Sequence, residues 1–183
     1  MENRLSITPG FCFLWALCLL TLPLRWAMGA VFAAFVHELA HCIAVLFFGG
    51  QILTMKLGGH GAVMKVTPMT WGKEAICVLA GPIGSFSLLL TAEFFPEAAI
   101  CGLAQGIYNL LPFYPLDGGR FLRILFSESI SIAAEVFFGI LLAGFGLWMV
   151  TQNSNPGLFI LLLLWFPLIR GKITCKESKQ AVQ

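Results

Sequence analysis

Apolar residues run along most of the chain in long blocks, which short polar or glycine- and proline-containing stretches separate. A helix needs about 20 apolar residues to cross the hydrocarbon core of a membrane. Six blocks approach that length. They predict transmembrane helices at about Leu5–Leu24, Trp26–Phe48, Ala75–Thr91, Ala98–Leu111, Ile132–Val150 and Leu158–Ile169. The pattern therefore predicts an all-α polytopic membrane protein with about six transmembrane helices.

Two stretches between the predicted spans break the helical pattern. Gln51–Val66 has β-branched and apolar residues on both sides of a glycine-rich turn. This predicts a small β-hairpin at the membrane interface, between the second and third helices. Pro112–Arg120 combines prolines with a glycine pair, so it is predicted to be irregular rather than helical. Irregular backbone is tolerated near a membrane where protein or water surrounds it.

Composition and charge agree with a membrane protein and indicate its orientation. The chain is 58% hydrophobic and 11% charged, whereas soluble domains are about a quarter charged. If six spans begin in the cytoplasm, all of the 11 lysines and arginines except Arg25 fall on the cytoplasmic side, as the positive-inside rule requires. We therefore expect a multi-pass transmembrane domain over residues 1–170, a short basic tail over 171–183, and both termini in the cytoplasm. The net charge of +2 does not indicate nucleic-acid binding.

The second predicted span carries the sequence His37-Glu38-Leu39-Ala40-His41. Residues four apart share one face of a helix, so both imidazoles can reach the same ion. Neutral histidines are good Zn²⁺ ligands, and an adjacent glutamate can act as general base towards a water whose pKa zinc lowers to about 7. A carboxylate near the bilayer centre costs about 2.5–3.5 kcal/mol, so a chance occurrence is a poor explanation. The motif predicts an intramembrane zinc site with Glu38 as the catalytic base.

A catalytic zinc with two histidine ligands still needs a third protein ligand. Asp117 lies at the cytoplasmic end of the fourth predicted helix, the side towards which His41 also points. Gly118 and Gly119 would let the backbone turn sharply and bring the carboxylate back to the ion. An ordinary Asp-Gly turn is the alternative explanation. We take Asp117 as the third ligand of one zinc ion per chain.

The sequence HELAH in one span, followed by NLLPFYPLDGGR at the end of a later one, resembles the site-2 protease family of intramembrane metalloproteases. The resemblance covers about Ala30–Arg123. It implies zinc binding by two histidines and an aspartate, activation of water by a glutamate, and positioning of the substrate backbone by an asparagine. These roles fall on His37, His41, Asp117, Glu38 and Asn109.

The third predicted span also resembles this family through Ala80-Gly81-Pro82. Ser85 stands near the place where many members carry asparagine. Close helix packing through small residues would explain Gly81 and Ser85 equally well.

Six spans, an interfacial hairpin and no PDZ-like insertion are most similar to the stage IV sporulation FB type, here without its CBS domain. The resemblance implies a protein of the bacterial cell membrane that cleaves a membrane-embedded or membrane-associated precursor by regulated intramembrane proteolysis. A sporulation sigma-factor pro-protein or another membrane-tethered regulator would be the substrate, and an inhibitory membrane protein would be a further partner. A strand within Gln51–Val66 could pair with the unwound substrate.

Two alternative functions stay open from the sequence. Intramembrane histidine and aspartate also line ion paths, so the chain could be a metal transporter or sensor. It could also be a non-catalytic pseudoprotease that binds membrane partners. His60, in the glycine-rich stretch, is either an ordinary solvated loop residue or part of a gate beside the site.

Overall fold

The computed structural model describes residues 5–58 and 61–153. The predicted sixth span, the predicted basic tail and His60 lie outside these ranges. In the described parts the elements are β1 (Leu5–Ile7), α1 (Pro9–Thr21), α2 (Leu24–Phe47), β2 (Ile52–Gly58), β3 (Gly61–Val66), α3 (Trp71–Ser87, followed by a 3-10 turn at Leu88–Thr91), α4 (Pro96–Leu110), α5 (Asp117–Leu125) and α6 (Glu128–Asn153). The elements from β1 to α5 form one compact unit, and a second unit begins with α6.

Three helices in the described ranges are long and apolar enough to cross a membrane. They are α2, α3 with its 3-10 turn, and residues Glu128–Gln152 of α6, which correspond to the second, third and fifth predicted spans. Helices α1 and α4 have only 13 and 15 residues. The helical membrane architecture is therefore supported, while the number of six spans is not confirmed.

The predicted hairpin is present, and it belongs to a larger sheet. Strands β2 and β3 pair antiparallel, with Thr54 opposite Lys65. Strand β1 adds in parallel to the other side of β2, with Leu5 opposite Met55. The order β1-β2-β3 leaves β3 at an edge of the sheet.

Strand β1 replaces the start of the first predicted helix, so the expectation of a helix from Leu5 was wrong. Helix α1 begins only at Pro9. Proline is favoured in the first turn of a helix, because its missing N–H would have no partner there in any case. The residues before it are free to extend and to join β2.

Helix α2 packs against both α3 and α4, and small residues allow the close contact. Ala27 and Ala33 are buried, and a Cβ placed on Gly29 would lie 3.0 Å from the backbone nitrogen of Ala98. Helix association in a membrane relies on this kind of van der Waals contact. Large apolar side chains such as Phe35 are exposed on the outer face of α2, as contact with lipid requires.

The segment between α4 and α5 is irregular over only part of the predicted range. Residues 112–116 are not helical, and the Tyr114–Pro115 peptide bond is cis. Helix α5, however, begins at Asp117. The prediction of irregular backbone through Arg120 was therefore wrong.

The two glycines after Asp117 have a different role from the sharp turn predicted for them. Both are helical residues of α5. A Cβ on Gly118 would overlap the carbonyl group of Leu110, and a Cβ on Gly119 would overlap the backbone of Phe113. They allow the first turn of α5 to pack directly on the chain that precedes it, which sets the position of Asp117.

Candidate metal centre

Three buried side chains from distant parts of the sequence meet in the first unit. His37 and His41 come from α2, and Asp117 is the first residue of α5. The two Nε2 atoms lie 3.2 Å apart. Asp117 Oδ2 is 3.1 Å from Nε2 of His37 and 3.2 Å from Nε2 of His41. The structure thus brings together the three residues that the sequence analysis selected as ligands.

The spacing of these three atoms fits a zinc ion. Tetrahedral zinc with bonds of about 2.0–2.1 Å separates any two ligand atoms by about 3.3 Å. The observed triangle, with sides of 3.1–3.2 Å, matches one face of such a tetrahedron. Two imidazoles and one carboxylate are also a donor set that catalytic zinc sites use, with the fourth position left for water or substrate.

Helix α3 holds both imidazole rings by hydrogen bonds to their Nδ1 atoms, the ring nitrogens that are not part of the triangle. Nδ1 of His41 donates to the carbonyl oxygen of Cys77, 2.7 Å away. Because a carbonyl only accepts, the proton of the neutral ring is on Nδ1, and Nε2 presents its lone pair to the centre. Nδ1 of His37 lies 2.8 Å from Oγ of Ser85. With the Nδ1–H form of both rings, three acceptor atoms converge on one point, and a cation satisfies that arrangement.

Gly81 lies where α3 crosses over the two rings. A Cβ at this position would overlap Nε2 of His41 and would lie 2.8 Å from Nε2 of His37. Any side chain would therefore enter the space of the ion. The sequence analysis missed this role, since helix packing explained the same glycine. The four-residue spacing of Gly81 and Ser85, which places them on one helix face, is the signal that could have revealed it.

Asp117 has the charge that a metal ligand needs. Helix α5 is outside the candidate spans. Burial raises the pKa of the Asp117 carboxyl. In the metal-free site, rings of His37 and His41 that carry a proton on Nε2 donate to this carboxylate, and these hydrogen bonds outweigh burial and lower the pKa from 3.8 to about 2. Its other oxygen, Oδ1, lies 3.7 Å from Nη1 of Arg120. The carboxylate is therefore ionised at neutral pH, as metal coordination requires.

The other two predicted site residues lie outside the triangle of ligand atoms. Glu38 follows His37 on α2 and is half-buried, so its side chain is rotated about 100° around the helix axis from that ligand. Asn109 is near the end of α4, where its Nδ2 donates to the carbonyl oxygen of Gln105 at 3.0 Å. Their roles as general base and substrate contact stay predictions.

A cavity of about 30 Å³ adjoins His41, which is enough for one or two water molecules. Met64 and Val66 of β3 form part of its wall, and Glu74 and Arg120 form another part. The last two residues also line a wider surface depression. The edge strand of the sheet and a polar surface therefore both border the candidate centre.

The buried centre combines two histidines of a membrane-length helix, α2, with an aspartate of the short helix α5. This arrangement is that of an integral membrane metalloprotein. Comparison with known proteins narrows this class. The model of peptidase family M50 matches residues 64–151. The chain is 29% identical over 137 residues to stage IV sporulation protein FB of Bacillus subtilis, covering 64% of this chain and 47% of that relative.

Two further comparisons agree. Over 121 residues the chain is 30% identical to a zinc metalloprotease of Methanocaldococcus jannaschii, covering 55% of this chain and 36% of the relative. A solved structure, the site-2 protease from Methanocaldococcus jannaschii, has 22% identity and a TM-score of 0.61, with 89% of this chain and 88% of that chain covered.

These findings confirm the resemblance to the site-2 protease family, and the match to the M50 peptidase model agrees with it. The fold is that of the solved site-2 protease. The chain spans less than half the length of the sporulation protein and of the archaeal metalloprotease. Zinc agrees with both the donor set and the metalloprotease name of the archaeal relative.

Proposed function

We propose that the chain is an intramembrane zinc metalloendopeptidase, with His37, His41 and Asp117 as ligands and Glu38 as general base. The observation that carries the proposal is the triangle of three ligand atoms, 3.1–3.2 Å apart, next to a half-buried glutamate on the same helix. Zinc bound there would polarise the scissile carbonyl and make water acidic enough to supply hydroxide at neutral pH.

Three groups of the chain contribute to the proposed reaction besides the metal ligands. Glu38 takes a proton from the attacking water and passes it to the amine that leaves. The carbonyl of Cys77 keeps His41 oriented through the bond to Nδ1. Asn109, one turn before the irregular segment, positions the main chain of the substrate next to the centre.

The substrate class that fits this site is a segment of a membrane-tethered protein in extended form. A helical substrate hides its carbonyls in its own hydrogen bonds, so it must unwind before cleavage. Strand β3 is at the sheet edge, and two of its side chains, Met64 and Val66, border the cavity beside His41. An unwound segment that adds to β3 as a further strand would reach the centre.

The similarity to stage IV sporulation protein FB supports a proposal for the biological setting. We infer a bacterial cell-membrane protease with both termini in the cytoplasm. Its substrate would be a membrane-associated precursor, such as a sporulation sigma-factor pro-protein, and a second membrane protein would inhibit it. Cleavage of such a precursor under the control of an inhibitory membrane protein is regulated intramembrane proteolysis.

Proteolysis and zinc movement can be measured together in vesicles. Purified protein is reconstituted with a membrane-tethered reporter substrate outside and a zinc-sensitive dye inside. We expect cleavage that stops on chelation, returns with added zinc, and occurs without dye response. A dye response without cleavage would instead identify a transporter, and binding of the reporter with neither signal would identify a pseudoprotease.

Strand addition is tested on the substrate, so that the enzyme stays unchanged. Single backbone N-methyl groups are placed at successive residues around the cleaved bond. Only every second amide of an added strand faces its neighbour, so cleavage should fall about tenfold or more at alternate positions. Equal cleavage at all positions would rule out pairing with β3.

A further inference from the structure

A wide depression in the protein surface lies next to the metal centre. Its volume is about 500 Å³, within the range of roughly 300–1,000 Å³ that is usual for ligand pockets. Its walls come from the start of α3, the irregular segment before α5, and α5 itself: Trp71, Glu74, Tyr114, Arg120, Arg123 and Ile124. Glu74 and Arg120 also line the cavity beside His41. A group bound in this basic depression would therefore lie close to the metal centre.

The charges in the basic depression favour an anionic ligand. Two arginines face one glutamate in its lining. Nη1 of Arg120 lies 3.7 Å from Oδ1 of Asp117, and the Arg120 side chain is 41% exposed. Because this distance is too long for a hydrogen bond, the ion pair engages none of the N–H donors of the guanidinium.

The second arginine is held by an aromatic ring. The central guanidinium carbon of Arg123 lies 4.2 Å from the centre of the Tyr114 ring. This cation–π contact restricts a long side chain, so less conformational entropy is lost when the guanidinium binds a ligand. Arg120 and Arg123 are three residues apart in α5, so both side chains can reach one ligand.

We propose that the basic depression binds the carboxylate of an aspartate or glutamate of the substrate, close to the cleaved bond, through Arg120 and Arg123. This rests on the proposed protease function and adds a specificity to it. Planar guanidinium groups match a carboxylate through paired hydrogen bonds. A lipid phosphate carries a similar charge, but the lining that the depression shares with the cavity beside His41 favours the substrate.

The position of the basic depression suits a charged residue of a membrane-tethered substrate. Trp71 is exposed at the first residue of α3, which is a candidate span. Helix α5 is outside the candidate spans. The depression therefore lies at the membrane border, where tryptophan is common and where a carboxylate keeps contact with water. The site selects segments that carry an acidic residue next to the cleaved bond.

The selectivity is measured as a ratio within one enzyme preparation, so that folding and zinc content cancel. Pairs of membrane-tethered reporters carry glutamate or glutamine at successive positions around the cleaved bond, in vesicles of uncharged phosphatidylcholine. At one position we expect kcat/KM of the wild type to be about tenfold higher for glutamate. Arg123→Gln should lose this preference. Lys73→Gln is the matched control and should keep it, because Lys73 is an exposed cation of α3 that does not line the depression.

Charge reversal separates direct contact from a structural effect. Arg123→Glu should cleave a reporter with lysine at the selected position faster than one with glutamate. A structural defect alone would slow the cleavage of both reporters without reversing their order. Unchanged preference for glutamate in Arg123→Glu would overturn the proposal.

Two further outcomes would also overturn it. One is equal cleavage of the glutamate and glutamine reporters by the wild type at every position. The other is a wild type without this preference that phosphatidylglycerol activates while Arg123→Gln does not respond, which would identify a lipid headgroup site.

Binding of the same reporters to the zinc-loaded Glu38→Gln variant tests the depression without cleavage. We expect the glutamate reporter to bind about tenfold more tightly than the glutamine reporter, and equal binding would overturn the proposal. If this preference is found but the zinc-loaded wild type cleaves no reporter, the proposed protease function alone is contradicted.

Discussion

Replacement of Gly81 by alanine is the smallest change that places an atom in the candidate metal centre. Alanine favours a helix more than glycine does, so local propensity predicts a slightly more stable α3. The contact of the added Cβ with the two histidine ligands instead predicts a less stable protein. The added Cβ would overlap Nε2 of His41 and would lie 2.8 Å from Nε2 of His37.

The size of the effect follows from how far the rings can move. Ordinary contact begins at 3.4 Å, so Nε2 of His37 must retreat by about 0.6 Å and His41 must retreat further. Metal sites keep their distances within about 0.2 Å. The far sides of the rings are held by Ser85 and Cys77 of the same helix. We expect zinc affinity to fall by about 100-fold or more, and folding stability to fall by roughly 1–3 kcal/mol from overpacking.

The assay compares Gly81→Ala with Gly72→Ala. Gly72 is in the same helix, and no heavy atom would lie within 4 Å of its added Cβ. Zinc affinity is measured by chelator competition, and stability by thermal unfolding of the metal-free protein. Gly72→Ala should bind zinc as the wild type does. If Gly81→Ala also binds zinc within threefold of the wild type, the placement of α3 over the two histidines is wrong.

Asp117 and the helix start that carries it give two further predictions. The folded-state pKa of Asp117, about 2, is below its ordinary value of 3.8. The ionised carboxylate therefore stabilises the metal-free fold by roughly 2 kcal/mol above about pH 4. This stabilisation is lost as the pH falls towards 2. Unfolding measured between pH 5 and 2 should show this dependence in the wild type and lack it in Asp117→Asn; equal pH profiles would refute the assignment. Gly119→Ala should abolish zinc binding without removing a ligand, because its Cβ would overlap the backbone of Phe113 and displace the start of α5. Zinc bound at wild-type affinity would contradict that role.

The features that local sequence determines were predicted well. Two histidines four residues apart share a helix face whatever the rest of the fold does. An apolar run long enough to span a membrane predicted a helix at Trp26–Phe48, and the structure has one at Leu24–Phe47. The hairpin was predicted from its glycine-rich turn and flanking apolar residues, and it is present in β2 and β3.

Asp117 was correctly expected to approach the two histidines, but other features that depend on tertiary contacts were not predicted. The sequence from Leu5 onward is compatible with either a helix or a strand. Pairing with β2 makes Leu5–Ile7 a strand. A small residue such as Gly81 has the same appearance in sequence whether it contacts a helix or a metal ligand. The glycine pair after Asp117 suggested a turn, yet both glycines are helical and allow α5 to pack on the chain that precedes it. The first two differences come from neighbours that are distant in the chain, and the third comes from the segment just before α5.

The most direct test of the account is Glu38→Gln, with bound zinc and cleavage of a membrane-tethered substrate measured on the same preparation. Glutamine preserves the size of the side chain but cannot accept the proton from water. The account predicts one zinc per chain in both proteins, with cleavage reduced by about 100-fold or more in the variant. Equal cleavage by the two zinc-loaded proteins would contradict the role of Glu38 and the mechanism built on it.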